Sequence, residues 1–317
     1  MRALVTGGAG FAGRHLLAAL ERAGHEAVGA GLPDGHGRPE HGAWHDLDVR
    51  SEPACRALLG ELQPGWVFHL AGFAHVGRAE ADPQACLAVN FGGTRAVLEA
   101  CLAAAPRARV VLVSSAEVYG RVKPDELPVT ESQPLRPATA YAVSKAAAEM
   151  AGHHAAARGL SVVILRPFNH IGPGQSEDFV ASAFARQVAR IEAGRQEPVL
   201  RVGNLAAVRD LLDVRDAVQG YLRAAEAGRD GAVYNVTSGD AVAVKDLLDT
   251  LLSLSEARVS VQPDPARMRP VDVPVFHGSP ERLLADTGFR ARLDLRRTLS
   301  DVLDYWRARE TTSVERR

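Results

Sequence analysis

The chain has 317 residues, 46% hydrophobic and 24% charged, enough to bury a large core in one big domain or two intimate lobes. Its formal net charge of -1, with arginines interspersed among acids, supplies no extended basic field for a nucleic acid or an anionic membrane, so any anion must be met locally. Cys55, Cys86 and Cys101 have neither metal-ligand spacing nor an even-numbered pairing framework, and read as reduced core fillers.

The first apolar run, Arg2 to Thr6, is a buried strand with no basic leader before it. It enters Thr6-Gly-Gly-Ala-Gly-Phe-Ala-Gly13, which opens a helix over Arg14 to Ala23. Strands follow at Glu26 to Ala30, Trp66 to Leu70, Val110 to Ser114 and Val162 to Arg166, with a further one ending at Asp48 and Val49. Helical spacing recurs in Glu52 to Leu62, Asn90 to Ala104 and Tyr141 to Arg158. Such alternation predicts a doubly wound parallel sheet of Rossmann type. The segment from Gly31 to Gly42 is rich in Gly, Pro and His and reads as an exposed loop. After Pro167 the pattern loosens: a Gly/Pro break at 172–174, a helix near Phe179 to Ala193 and Pro-rich connections from Pro263 to Pro280 predict a smaller lobe. We therefore expect a dinucleotide-binding domain over 1–166, with 208–236 returning to it, and a substrate lobe over 167–317. No apolar run reaches the ~18 residues of a membrane span, so the expected location is the cytoplasm.

Glycines at 7, 10 and 13, between a strand and a helix, fit a dinucleotide site: Gly7, Gly10, Phe11, Ala12 and Gly13 form a turn that lets backbone approach a pyrophosphate at a helix N-terminus. The second strand ends Val28-Gly-Ala-Gly-Leu32, without the acid that would bind the 2'-hydroxyl of NAD. That omission favours NADP(H) and leaves NAD(H) open, with Arg14 or Arg38 as partner for a 2'-phosphate. Asp48 and Val49 would lie along the adenine. Lysine occurs only at 123, 145 and 245 in this arginine-rich chain, and Lys145 follows Tyr141 by four residues in Tyr141-Ala-Val-Ser-Lys145. A compact ammonium beneath a phenol is a task that a guanidinium does not replace. His153, His154 and His170 have no metal-like partners at suitable spacing, and no metal is expected.

The motifs TGGAGFAG, His69 to Gly72, Asn90, the strand end Val113-Ser-Ser-Ala-Glu-Val-Tyr-Gly120 and YAVSK together resemble an extended short-chain dehydrogenase/reductase acting on a nucleotide sugar. The resemblance implies Ser115 polarising a carbonyl, Tyr141 as general acid or base, and Lys145 binding the nicotinamide ribose and lowering the Tyr141 pKa. It also places Leu70, Ala71, Gly72, Asn90 and Phe168 along the cofactor, and leaves Tyr119 structural. The runs Arg166-Pro-Phe-Asn-His-Ile-Gly-Pro-Gly-Gln175, Phe179-Val180, Gly203 to Asp210 and Arg269-Pro-Val-Asp272 resemble GDP-6-deoxy-4-keto-mannose reductases and the related GDP-mannose 4,6-dehydratases. By that likeness Asn169 meets the diphosphate, Phe179 and Val180 the nucleoside, Arg209 and Arg269 the pyrophosphate and Asp272 the ribose.

Glu117 fits a proton-abstracting role in a dehydratase, but the reductases resembled carry a glutamate there too. The short loop from Gly31 to Gly42 has no room for the longer basic insertion of the dehydratases resembled. The expected activity is hence NAD(P)H-dependent reduction of the C4 ketone of GDP-4-keto-6-deoxy-D-mannose to GDP-D-rhamnose. A 4,6-dehydratase or 4-epimerase with retained cofactor is the alternative, and a non-catalytic nucleotide sensor a third class. Relatives pair two such alanine-rich helices in a four-helix interface, so a homodimer is expected.

Overall fold

The computed structural model describes residues 1–32, 37–268 and 273–315. Six strands fall in chain order: β1 (Arg2–Thr6), β2 (Glu26–Gly31), β3 (Ala43–Asp46), β4 (Trp66–His69), β5 (Arg109–Val113) and β6 (Ser161–Pro167). With Val233–Val236 they form a seven-stranded sheet in the order Val233–Val236, β6, β5, β4, β1, β2, β3, each neighbouring pair parallel. Interleaved with the first six are α1 (Phe11–Arg22), α2 (Glu52–Leu62), α3 (Val76–Ala81), α4 (Pro83–Leu87), α5 (Thr94–Ala104) and α6 (Ala140–Ala157).

A strand turns alternate side chains to opposite faces, and both faces here are apolar because both are covered. Val111 and Val113 join the core beneath α1 and helix Val214–Ala227, while Val110 and Leu112 join the core beneath α2, α5 and α6. Leu16, Leu17 and Leu20 on α1 are fully buried, each worth roughly 1.5–3 kcal/mol over an exposed position.

Three local features depart from the sequence expectation. The third strand ends at Asp46, so Asp48 and Val49 lie in the turn after it. The Arg50 guanidinium and backbone amide both bond the Asp48 carboxylate and hold that strand-exit turn. The helix expected from Asn90 begins at Pro83, where Asp82 accepts from the Ala85 amide, and it passes through a π-helical turn over Ala88–Gly93 before α5. Contrary to expectation, this Pro83–Ala104 run is long and apolar enough to cross a membrane; half of its most apolar window is buried inside the protein, where α5 packs between α2 and α6.

Beyond β6, Asn169–Ile171 pairs with Leu211–Asp213, and Val208–Arg209 lies between Val242–Ala243 and Val275–Phe276. Helices Val180–Glu192, Val244–Leu252 and Leu295–Glu315 share a separate core around Phe184, Leu247, Leu248 and Leu299. Asp210 fastens these pieces: its buried carboxylate accepts from the Ser238 and Gly239 amides and from the hydroxyls of Thr237 and Ser238.

The first βα turn brings backbone segments into close approach. A Cβ on Gly13 would fall 2.3 Å from the Gly7 carbonyl oxygen and 2.8 Å from Gly8 Cα. Backbone cannot move aside as a flexible side chain does. Gly13→Ala should therefore lower stability by about 1–3 kcal/mol, seen as a lower urea midpoint at unchanged m-value; an unchanged midpoint would contradict the close approach.

Candidate active site

The carboxyl ends of β1, β4, β5 and β6 bring the predicted residues to one sheet edge, where ligands bind in open α/β folds. Gly7 adopts φ 73°, which glycine tolerates without cost, and a Cβ there would lie 2.7 Å from the Ala71 amide nitrogen. The glycine turn thus rests directly on the Leu70-Ala71-Gly72 segment. Gly10 is the N-cap of α1 and has no side-chain cap, so the first amides of the helix, including those of Phe11 and Ala12, face the turn without intrahelical partners. Such a helix end suits a pyrophosphate. Arg14 reaches across it, donating to the carbonyls of Ala9 at 2.8 Å and Gly37 at 2.9 Å. This brings Arg14 to the backbone of the exposed Arg38, in the segment between β2 and β3. These residues fit a dinucleotide.

Val49, the other residue after β3, is buried, and its side chain lies 2.8 Å from where a Cβ on Gly93 would be. It is a wedge between that turn and the helical layer. At two further positions expected along the cofactor the side chains are engaged by the protein. The Asn90 side chain is spent on protein, accepting from the Phe73 amide at 2.7 Å and donating to Ser144 Oγ at 2.8 Å. It ties the segment after β4 to α6. Phe168 is 3% exposed, stacked on Phe276 at 5.0 Å within a cluster with Val118 and Val129, and its ring sits in the core under the site.

On α6, Tyr141 and Lys145 share one face because they are four residues apart. The Tyr141 phenol hydrogen-bonds Ser115, whose Oγ also accepts from the Glu117 amide at 3.2 Å. Lys145 Nζ donates to the Val113 carbonyl at 2.9 Å. Burial pushes the phenol up to about 12, with the Ser115 hydrogen bond acting the other way. This reverses the expected lowering. Burial lowers Lys145 to about 8, against the opposing influence of Cys86 and Glu149. Behind them His69 lies fully buried between Thr6 Oγ1 at 2.7 Å and Thr94 Oγ1 at 3.1 Å, and burial, then Lys145, bring it down to about 3. It is a neutral hydrogen-bonding strut.

Glu117 opens onto the cleft at the surface yet is flanked by protein, and this partial desolvation raises its carboxyl while Arg209 draws it down. The Arg209 guanidinium donates to the carbonyls of Val208 and Pro274 at 2.8 and 3.3 Å. Asn169 is exposed on its short strand. Phe179 and Val180 are partly exposed at the start of Val180–Glu192, with the Phe179 ring 6.0 Å from His75. Beside them lies a cleft of about 760 Å³ lined by Arg186, Arg190, Arg201 and Arg267 together with Glu177, Asp178 and Glu197. Arg269 and Asp272 lie outside the described residues.

One buried group escaped the sequence reading. Glu149, one turn beyond Lys145, grips Arg166 through both oxygens at 2.6 to 3.2 Å and accepts from Ser114 Oγ at 2.5 Å. Arg166 also donates to Tyr119 Oη at 3.0 Å, and the Tyr119 hydroxyl donates to Asn235 Oδ1 at 2.6 Å. Tyr119 is structural, as expected. The signal for the rest was a lone acid in an alanine-rich helix, four residues after the only lysine in that helix.

A nucleotide-cofactor oxidoreductase is the class that this glycine turn and this Ser, Tyr and Lys assembly define. Residues 3–237 match the model of the NAD dependent epimerase/dehydratase family, and the chain belongs to that family. It is 37% identical over 309 residues to the GDP-6-deoxy-D-mannose reductase of Pseudomonas aeruginosa, covering 97% of this chain and 98% of that protein. The structure of RMD from Pseudomonas aeruginosa complexed with NADPH matches with TM-score 0.84 and 34% identity, over 97% of this chain and 99% of that one. The Thermus thermophilus UDP-glucose 4-epimerase in complex with NAD matches with TM-score 0.85 and 29% identity, over 97% of this chain and 99% of that one.

The lowered Lys145 has a consequence for stability. Between about 8 and 10.5 the unfolded chain holds this proton while the folded chain has released it, so the Lys145 contribution makes stability rise with pH through that window. Urea titrations of wild type and Lys145→Met across the window should show a slope that the variant lacks. Parallel slopes would show that the lysine is not desolvated.

Proposed function

We propose that the protein reduces the C4 ketone of GDP-4-keto-6-deoxy-D-mannose to GDP-D-rhamnose with NADPH as donor. The observation that carries this reading is the likeness to GDP-6-deoxy-D-mannose reductase along 97% of the chain, with Ser115, Tyr141 and Lys145 assembled at one sheet edge. A second strand that ends without an acid, with Arg14 on α1 and Arg38 in the segment after that strand, supports NADPH over NADH.

When bound, the nicotinamide supplies a hydride to C4 of the sugar. The Ser115 hydroxyl is placed to donate to the ketone oxygen, and Tyr141 to deliver the proton that completes the alcohol. A phenol that burial keeps protonated is in the state that reduction consumes. The Lys145 ammonium, beneath it in the same pocket, would hold the ribose of the cofactor and balance the phenolate left behind. Asn169 and Arg209 would meet the diphosphate, and Phe179 and Val180 open the way to the arginine-lined cleft for the base. Glu117, with its raised carboxyl close to Tyr141 and Arg209, supports a second reading as a dehydratase or epimerase. In that reading the cofactor is regenerated within each cycle.

Leu87, Val143 and Met150 are exposed apolar residues of α4 and α6, 43%, 48% and 52% accessible, and Val143 and Met150 lie seven apart on one helical face. They support a homodimer joined through this helical layer, and a cytoplasmic enzyme is the reading consistent with a nucleotide-sugar substrate.

Purified enzyme supplied with NADPH and the ketosugar should lose the near-ultraviolet absorbance of NADPH, and GDP-mannose alone should cause no loss. Tyr141→Phe should slow that loss by about 10²–10⁴-fold without changing the melting temperature greatly. Conversion of GDP-mannose with no net NADPH loss would instead favour the dehydratase or epimerase.

A further inference from the structure

Three candidates stand out beyond the substrate and cofactor residues. The fully buried Tyr221 hydroxyl has no hydrogen-bond partner, but it is sealed within the core under the sheet. The Cys86 thiol touches Ser144 at 3.3 Å and lies in the same small cluster as Tyr141, yet it is fully buried and already bonded. The pair formed by Glu149 and Arg166 carries an inference furthest, because it is buried, charged and joined on two sides to the catalytic elements.

The geometry points to Glu149 and Arg166 as the positioning pair of the reaction centre: they lock the end of β5 to α6, setting Ser115 against Tyr141, and they fix the electrostatic surroundings of Lys145. This rests on the reductase reading for the roles of Ser115, Tyr141 and Lys145. Neither partner touches the site itself. Glu149 is fully buried on the same face of α6 as Tyr141 and Lys145, at successive four-residue intervals. Its Oε1 accepts a hydrogen bond from the hydroxyl of Ser114, the neighbour of Ser115, so β5 is fastened to the catalytic helix at the residue before the polarising hydroxyl. Arg166 enters from β6, holds both carboxylate oxygens, and lies over the Tyr119 ring at 4.9 Å while donating to its hydroxyl. The turn from Ser115 to Tyr119 is thereby held at both ends, by Glu149 through Ser114 and by Arg166 through Tyr119.

A buried carboxylate and guanidinium are costly apart and tolerable together, so each fixes the other. Burial works against the Arg166 charge, but the Glu149 fork and Tyr119 outweigh it and hold the guanidinium charged. Lys145 faces Cys86 from α4, Glu149 and Tyr141 from its own helix and His69 from β4, while Glu117 faces Tyr141 from the turn after β5. His69 is neutral, and the ammonium is favoured by Cys86 and then by Glu149, the carboxylate of the two. Removing its charge alone leaves the buried Arg166 cation beside it without a counter-charge; removing both charges leaves a neutral contact.

The test reads Lys145 directly and without substrate. Lysine occurs only at 123, 145 and 245, and the first and last are exposed, so protein labelled with ¹³C at lysine Cε shows one buried lysine to titrate by NMR. Wild type should titrate near 8. In Glu149→Gln the midpoint should fall by about one pH unit, and the pH profile of kcat should shift in the same direction. In Glu149→Gln combined with Arg166→Met the midpoint should return part of the way to wild type, although more of the packing has been altered. A purely structural role predicts that the double variant departs at least as far as the single one. An unchanged midpoint in folded Glu149→Gln, or a double variant displaced as far as the single, would overturn the inference. Should Glu149→Gln fail to fold, the double variant against Arg166→Met alone reads the same coupling, and equal midpoints there would overturn it. Because this titration needs no turnover, a shifted lysine in a protein inactive on the ketosugar would sink the reductase reading and leave the pair intact.

Discussion

The structure depends on one constraint: α6 carries a phenol, an amine and a carboxylate on a single face, and buries all three against the end of a parallel sheet. Each would be costly there without a partner. Tyr141 meets Ser115, Lys145 meets the Val113 carbonyl, and Glu149 meets Arg166 and Ser114. All these partners come from β5, the residues just after it, or β6. The register of α6 on the sheet and the geometry of the reaction centre are therefore one fact. A helix shifted by one residue would turn this face away from every partner at once.

The same burial that makes the centre costly makes it suited to its chemistry. A desolvated phenol stays protonated and an amine gives up part of its hold on its proton. In the proposed reduction, proton delivery to a developing alkoxide would use the first property, and a ribose hydroxyl beside the ammonium the second. Outside this dry pocket the lobe is polar, with Arg209 at the inner end and an arginine-lined cleft farther out. Asp210 sits next to Arg209 and ties its strand to the Thr237 to Gly239 turn, so Arg209 stands on a satisfied buried carboxylate.

Much of this was legible in the sequence because buried parallel strands read as short apolar runs and crossover helices as longer periodic ones. β1 and α2 fall where those patterns put them, and the glycine turn and the Tyr141 to Lys145 spacing sit where their chemistry requires. What was not legible depended on contacts distant in sequence. The Ala88–Gly93 π turn has no periodic signature, and only the Asp82-Pro83 pair hinted at the earlier helix start. Asn90 and Phe168 belong to motifs that resemble cofactor-binding ones, yet the fold uses their side chains to join α6 to the segment after β4 and to fill the core. The phenol of Tyr141 was expected to be acidified by a nearby ammonium, whereas the balance is set by how little water reaches either group. Glu149 and Arg166 looked like ordinary charges until the sheet brought them together.

The claim at the centre of this account is that hydride passes to C4 of a ketosugar while Tyr141 gives the proton. NADPH carrying deuterium at the transferred position of its nicotinamide, turned over with GDP-4-keto-6-deoxy-D-mannose, tests it most directly. The account predicts deuterium bound to C4 of the product sugar, with the new hydroxyl proton drawn from the solvent pool. Product formed without deuterium at C4, or deuterium retained by the cofactor while the sugar is converted, would contradict it.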